Sequence, residues 1–420
     1  AGDRQHALAG TELPRLVDVL LRDGKHQPLA HVAVEWATQG AAADRIVPLA
    51  AETDSAGHVT ARWRLDTTSG PHTLAATASN GASTQASAYA TPRPASNVQP
   101  LPIESYDGSG EMVHPDFVRV PDAWLGDPFR LVATPYPAGN GTFENPSLFT
   151  GSTGASWLVP FGIQNPLEQP ASGYLSDPDV VYDPDASELR IYYRHVQTEN
   201  EIWMIRSPNG FVWSAPLLVL HAPNHLVVSP SVVRRGPHAW RMWSVNAGAD
   251  GCMGQSTTVE MRRSTDGIAW SPPEPTTMGD PDGFPWHVEV EWIPSRSEYW
   301  AVYPVKQPGG CSTDMLRFAT SPDGQQWTSY PSPILIKGAS DDLVDIIYRS
   351  SIDFDASSGI ISVWYSGATY IGPKFAWHLA WERLSVASLF ARVNAPMVEE
   401  ARVADSAPIR IPQLTNETAP

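Results

Sequence analysis

Five short segments of this chain begin with side chains that can transfer protons or bind charged groups. They are His114-Pro115-Asp116-Phe117-Val118, Ser176-Asp177-Pro178-Asp179-Val180-Val181, Ser229-Pro230-Ser231-Val232-Val233, Trp286-His287-Val288-Glu289-Val290 and Tyr348-Arg349-Ser350-Ser351-Ile352. Asp116, Asp177 and Glu289 offer carboxyl groups of the kind used in general acid–base catalysis. His114, Glu144, Arg194, His287 and Arg349 could line a binding funnel beside them. The two arginines would pair with the acids and hold them ionised. A structural use is open for the same residues: Asp116 and Asp177 as acceptors for backbone N–H groups, the histidines as packing side chains. The wide spacing of the histidines does not match the local clustering of metal ligands, so no metal is expected. A Gly-rich phosphate loop, a nucleophile elbow and an HExxH helix are all missing, and no cofactor is expected.

What would bring such distant residues together is a repeat. Ser207-Pro208-Asn209-Gly210-Phe211-Val212-Trp213 recurs as Ser264-Thr265-Asp266-Gly267-Ile268-Ala269-Trp270 and as Ser321-Pro322-Asp323-Gly324-Gln325-Gln326-Trp327. A degenerate copy ends at Trp157, so the tryptophans follow one another at 56, 57 and 57 residues. A turn and a Trp at such a period are the mark of propeller blades. Each box is preceded by one of the five polar segments and a second, aromatic-rich strand. Five units predict a five-bladed β-propeller over residues 110–394, closed by residues near 377–392. In such a ring the innermost strands all start at one face, so their polar heads converge whatever their separation in sequence.

Upstream, Val17–Leu21, His31–Trp36, Val59–Leu65 and His72–Ala78 read as strands separated by turn signals such as Asp23-Gly24 and Ser69-Gly70. Several short strands in this length predict an N-terminal β-sandwich over residues 1–92. Residues 93–109 are Pro-rich and read as a linker. Residues 395–420 have no periodicity and read as an extended tail. The fold class expected is therefore all-β: an Ig-like sandwich followed by a five-bladed propeller.

The N-terminal run Gly10-Thr11-Glu12-Leu13-Pro14, Ala30–Trp36, Thr53–Val59 and Gly70–Ala76 resembles the bacterial Ig-like (invasin/intimin-type) repeat, which implies an exported spacer or adhesive module. Residues 110–385 resemble the five-bladed glycoside hydrolases of the family 43, 32 and 130 type, through His114-Pro115-Asp116, Thr134-Pro135-Tyr136-Pro137, Glu144-Asn145-Pro146, Asn165-Pro166-Leu167, Trp286-His287 and Tyr348-Arg349-Ser350-Ser351. The resemblance implies that Asp116 is the base and that Asp177 orients the site. It also implies a glutamic acid on blade 3, where this chain has Ser229-Pro230-Ser231. Glycosidic cleavage normally needs two carboxyl groups, one of them protonated. Glu289 or Glu144 would have to replace the missing acid.

Composition narrows the partners. A net charge of −17 excludes a basic footprint for nucleic acid. No run of about 20 apolar residues is present, so the chain has no transmembrane segment of its own. Cys252 and Cys311 lie in Gly-rich loops of equivalent repeats and are expected to form a disulfide, which with a start at Ala1 points to a processed, periplasmic or extracellular protein. The domain pair also resembles, in architecture, the periplasmic accessory subunit of bacterial photosynthetic reaction-centre and light-harvesting complexes. With the blade-3 acid lost, the main expectation is a non-catalytic exported subunit bracing a larger, membrane-associated assembly of protein subunits. The alternative is a glycoside hydrolase-like enzyme or a carbohydrate-binding propeller.

Overall fold

A computed structural model describes residues 2–394 apart from short stretches, chiefly 40–43, 67–69, 92–97, 122–125 and 339–344. The expected tail, 395–420, and most of the first half of the linker lie outside the described residues. The chain divides into two compact units that part near residue 95. Both are built almost wholly of strands.

The first unit has two sheets. Strands Gln5–Leu8, Ser83–Thr91, Gly70–Ala78 and Val34–Gln39 form one, and Val17–Leu20, His58–Arg64 and Arg45–Pro48 form the other. In His58–Arg64 every second side chain, Val59, Ala61 and Trp63, is buried, as period-2 alternation requires of a strand with one covered face. Trp63 packs with Leu74, Ala88 and Ala90 of the other sheet in one cluster, and Val59 with Ala76 in a second. Asp44 accepts from the Trp63 indole, the Asp66 amide and His72 Nδ1, so this buried acid is fully used in holding the unit together.

The second unit is a propeller of five sheets in sequence order. The innermost strands are Met112–Arg119, Tyr174–Asp183, Val228–Gly236, Glu289–Ile293 and Ile346–Asp355. Ring closure differs from the expectation. Lys374–Ser385 is the third strand of blade 5, and its fourth strand is Gln99–Pro100, from the segment read as linker. Leu101 and Ile103 follow it into the blade 1–blade 5 core, where Phe117 stacks on Trp364 at 4.3 Å. An N-terminal strand completing the last sheet ties both ends of the ring together, and Pro100 tolerates the place because an outer strand needs no second partner. Val386–Asn394 forms the one α-helix of the described residues.

The turn boxes join neighbouring blades. Ser264 Oγ accepts from Gly267 N at 2.9 Å, and Asp266 Oδ1 accepts from Ile268 N and Ala269 N. The glycine then presents its carbonyl to the preceding blade: Tyr192 donates to Gly267 O, and Trp243 to Gly324 O. Gly154 O accepts from Trp364 in the same manner across the closure. Gly324 has φ +80, and a Cβ there would stand 2.6 Å from the Trp243 ring. Left-handed strain and the clash add, so Gly324→Ala should lower unfolding free energy by about 2–4 kcal/mol in a urea titration. A loss below about 1 kcal/mol would show that the blade joint adapts.

Candidate functional site

Alternate residues of the five inner strands form tiers along the propeller axis. The upper tier is His114, Asp177, Ser229, His287 and Arg349. Two residues on stand Asp116, Asp179, Ser231, Glu289 and Ser351. The heads of the first three strands share a device: His114, Asp177 and Ser229 each precede a proline and adopt φ of 54°, 52° and 55°. Proline cannot donate to the strand ladder. The ladder slips there, between Ser176 and Asp179 and between Val228 and Ser231, and a bulge of this kind re-aims a side chain. Left-handed backbone in non-glycine residues costs about 1–3 kcal/mol each and gathers at functional sites.

In the upper tier Asp177, fully buried, is the hub. Arg194 Nε lies 3.0 Å from its Oδ2, and the Ser229 amide donates to the same oxygen. Its Oδ1 stands 3.3 Å from His114 Nε2 and 3.5 Å from His287 Nδ1. His287 Nδ1 is 3.0 Å from Ser229 Oγ, and His114 Nδ1 is 3.2 Å from Thr134 Oγ1 and 3.4 Å from Glu144 Oε2. Glu144 accepts from Ser176 Oγ at 2.5 Å. Tyr348 fills the space between the imidazoles, 4.3 Å from His287 and 5.4 Å from His114.

Burial sets the charges. It pushes the Glu144 carboxyl up to about 8, with the nearby Asp177 charge adding to the rise. It pushes His114 down to about 4 and His287 well below its usual value. Burial would raise Asp177 too, but Arg194, His114, His287 and Arg349 outweigh it and hold the carboxyl well below its usual range. At neutral pH the tier thus holds one carboxylate and two neutral imidazoles.

Three atoms here, His114 Nε2, His287 Nε2 and Asp177 Oδ1, are buried and make no hydrogen bond. One ligand atom from each of these residues falls within 4.8 Å of the others. Two imidazoles and one carboxylate with vacant acceptor atoms fit a divalent transition-metal ion. Sequence spacing had argued against a metal; the ring removes that ground, because it brings three blades' strand heads to one point.

The lower tier is a different object. Asp116 Oδ2 accepts from Val180 N, Asp179 from Val232 N, Ser231 Oγ from Val290 N, and Ser351 Oγ from Phe117 N. Four of the five blade joints are therefore stapled by the residue two places after the strand head. Arg349 bridges the remaining joint, 3.5 Å from Glu289 and 3.9 Å from Asp179. Asp116 and Glu289, expected as catalytic carboxyls with Asp177, are thus placed below Asp177 and away from Glu144. Asp179 and Tyr348 went unremarked as site residues, although the period-2 step from Asp177 and the position next to Arg349 point to them. Cys252 and Cys311 form the expected disulfide, which links the loops 247–257 and 307–312 of blades 3 and 4.

A five-bladed propeller with a buried polar constellation at one mouth is a fold shared with glycan-acting enzymes. No protein-family model matches the chain. It is similar to the A type blood N-acetyl-α-D-galactosamine deacetylase of Flavonifractor plautii, at 27% identity over 317 residues. The match takes in 63% of this chain and 41% of that protein, so the chain spans well under half the length of this relative. The crystal structure of an F. plautii N-acetylgalactosamine deacetylase in complex with blood group B trisaccharide superposes with a TM-score of 0.65 at 24% identity, over 71% of this chain and 98% of that one. An α-L-arabinofuranosidase from Podospora anserina in complex with cellotriose gives 0.50 at 14% identity, over 68% and 95%. These likenesses to solved structures show the fold, a β-propeller. The expectation of a non-catalytic bracing subunit, with or without a photosynthetic assembly, is overturned by these similarities, which run to carbohydrate-active enzymes.

Proposed function

We propose that the chain is a carbohydrate-active hydrolase that removes the acetyl group from an N-acetylated amino sugar. One observation carries this reading: His114, Asp177 and His287 each place a possible ligand atom within 4.8 Å of the others, in a buried mouth beside the Glu144 carboxyl. The similarity to a deacetylase supports it. Cleavage of a glycosidic bond would need a second carboxyl across the scissile bond. Blade 3 offers Ser229 and Ser231 in that quarter, and the acids Asp116 and Glu289 are committed to the tier beneath.

His114, Asp177 and His287 would hold a divalent cation, which supplies polarisation of the amide carbonyl and a more acidic water. Arg194 fixes Asp177 through Oδ2, so that Oδ1 faces the two imidazoles. Thr134 and Ser229 orient the two imidazoles through their Nδ1 atoms, as supporting hydrogen bonds do around metal ligands. A cation held there would draw the Glu144 carboxyl back toward its ionised form, in which Glu144, steadied by Ser176, would take a proton from the attacking water and deliver it to the departing amine nitrogen. The products are acetate and a free amino sugar. The disulfide supports an oxidising location, periplasmic or extracellular, for this activity.

The test is incubation of the chain with N-acetylgalactosamine and N-acetylglucosamine glycosides, followed by NMR for acetate and an amine-reactive dye for the second product. Acetate and amine should appear in equal amounts, cease after chelation, and return with an added divalent ion. Release of reducing sugar without acetate would replace this reading with glycosidic cleavage.

A further inference from the structure

Blades 2 and 3 carry the same pair of arginines, but only blade 2 carries the acids that neutralise them. Arg190 stands directly opposite Arg206 in blade 2, and Arg241 opposite Arg263 in blade 3. The two rows are equivalent, since each lies one residue from the pair that enters the turn box, Leu189–Ser207 and Trp240–Ser264. Like charges directly opposite in a strand pair repel. Blade 2 offsets the repulsion with Asp183 and Glu188, which face each other at the end of its inner hairpin. Asp183 lies 2.8 Å from Arg190, and Glu188 lies 3.0 Å from Arg190 and 3.8 Å from Arg206. In blade 3 the corresponding facing pair is Gly236 and Ala239.

The blade 3 arginines are nonetheless held in position. Arg241 lies over the Tyr299 ring at 5.0 Å, as Arg190 lies over Trp240 at 4.6 Å. Each also donates to a carbonyl of the next turn box, Arg241 to Asp323 O and Arg190 to Asp266 O. Arg235 adds a third guanidinium. It sits where the ladder slips between Arg234 and Gly236, and it rests on Trp292 at 4.3 Å. Arg263 forks onto Glu274, but among the described residues no carboxylate lies within ion-pairing distance of Arg235 or Arg241. The Asp323 carboxylate is taken by the amides of Gln325 and Gln326. Burial depresses Arg241 from its ordinary value, and the charges of Arg263 and Arg235 add to this against the opposing pull of Tyr299 and Asp323. A stacked guanidinium keeps its N–H edge for an oxyanion. That edge borders a cavity of about 460 Å³, lined by Arg235, Ala239, Arg241, Arg263 and Thr265 among others and by no acid. Ala239, which stands where blade 2 has Glu188, is part of its wall.

We propose that this cavity binds a small tetrahedral oxyanion, sulfate or phosphate, between Arg235, Arg241 and Arg263. Two carboxylates are missing relative to blade 2, so a dianion restores the balance that Asp183 and Glu188 supply there. Guanidinium forks match paired oxygens in a phosphate or sulfate as they do in a carboxylate. The same recognition serves a free ion or an anionic ester on a larger ligand. None of these residues belongs to either tier of the axis, so the site stands apart from the acetyl-removing chemistry.

Isothermal titration of the full chain with sodium sulfate, sodium phosphate and sodium acetate, all at one ionic strength, tests this. Sulfate or phosphate should bind one ion per chain, at least about tenfold more tightly than acetate. Arg235→Gln should weaken that binding at least about fivefold, and Arg235→Lys, which keeps the charge but not the fork, should fall between. Ala239→Glu should abolish it and raise the melting temperature, because the new carboxylate reproduces the blade 2 arrangement. Phenyl sulfate and phenyl phosphate separate the two sources: binding as tight as the inorganic ions assigns the site to an esterified ligand, and binding of the inorganic ions alone assigns it to a free ion. No preference over acetate, or binding undiminished in both Arg235→Gln and Ala239→Glu, would overturn the proposal; the second result would place the ion elsewhere, as at the catalytic mouth. Acetate release from a small N-acetylated glycoside should be equal in all these chains, so the two readings fail by different observations.

Discussion

His287→Ala should leave a folded propeller that has lost at least about 100-fold in kcat/KM for acetate release. The reason is the geometry of the upper tier. His287 supplies one of the three possible ligand atoms, and Asp177 and His114 alone cannot close around an ion. Loss of a hydrogen-bonding support around a metal ligand already costs about 10–100-fold, and loss of a ligand should cost no less. The side chain is at the end of an interrupted inner strand, between Pro285 and Glu289, and its deletion breaks no ladder hydrogen bond. The expected signature is a drop in bound metal per chain, read by elemental analysis, in parallel with activity and with little change in melting. Full activity in a chain without bound metal would dismiss the assignment of His114, Asp177 and His287 as a cation site.

Arg349→Met is the substitution with the largest expected effect on stability. The guanidinium is completely buried and, among the described residues, is the one cation in contact with Glu289 and Asp179 in the lower tier. Removing one partner from a buried ionic cluster costs about 3–5 kcal/mol, because the remaining charges stay buried and uncompensated. The Pro230 carbonyl also loses a donor, which adds to the loss. Adding Glu289→Gln to Arg349→Met should recover part of the stability, since it withdraws one of the stranded acids. Denaturant titration of both single variants and the double variant gives the coupling. Strictly additive losses would mean that Arg349 and Glu289 do not act as a pair, and that the lower tier is held by its backbone staples alone.

Much of this protein was open to reading from residue order. Boxes ending in Trp213, Trp270 and Trp327 fix the blade period because a Gly with positive φ and a Ser or Asx side chain are local needs, met within a few residues. The convergence of His114, Asp177, His287 and Arg349 also followed from the repeat, since equivalent strand heads must share one face. Ring closure did not follow. Gln99–Pro100 carries no strand pattern of its own, and its place in blade 5 comes from the open edge of Lys374–Ser385, nearly 300 residues away.

The division of labour among the acids was likewise decided only in three dimensions. By type, Asp116, Asp177, Glu289 and Glu144 are interchangeable carboxyl groups; the family resemblance made Asp116 look catalytic, and the missing blade-3 acid made Glu289 look like its replacement. A step of two residues along a strand changes which neighbours a side chain meets: at Asp177 two imidazoles and Arg194, at Asp116 the backbone amide of the next blade. The chain's residue order specifies the ring and the set of groups delivered to its axis. Their roles depend on distances of 3–4 Å between strands that are far apart in sequence, because charge state, hydrogen bonding and metal affinity all answer to those contacts.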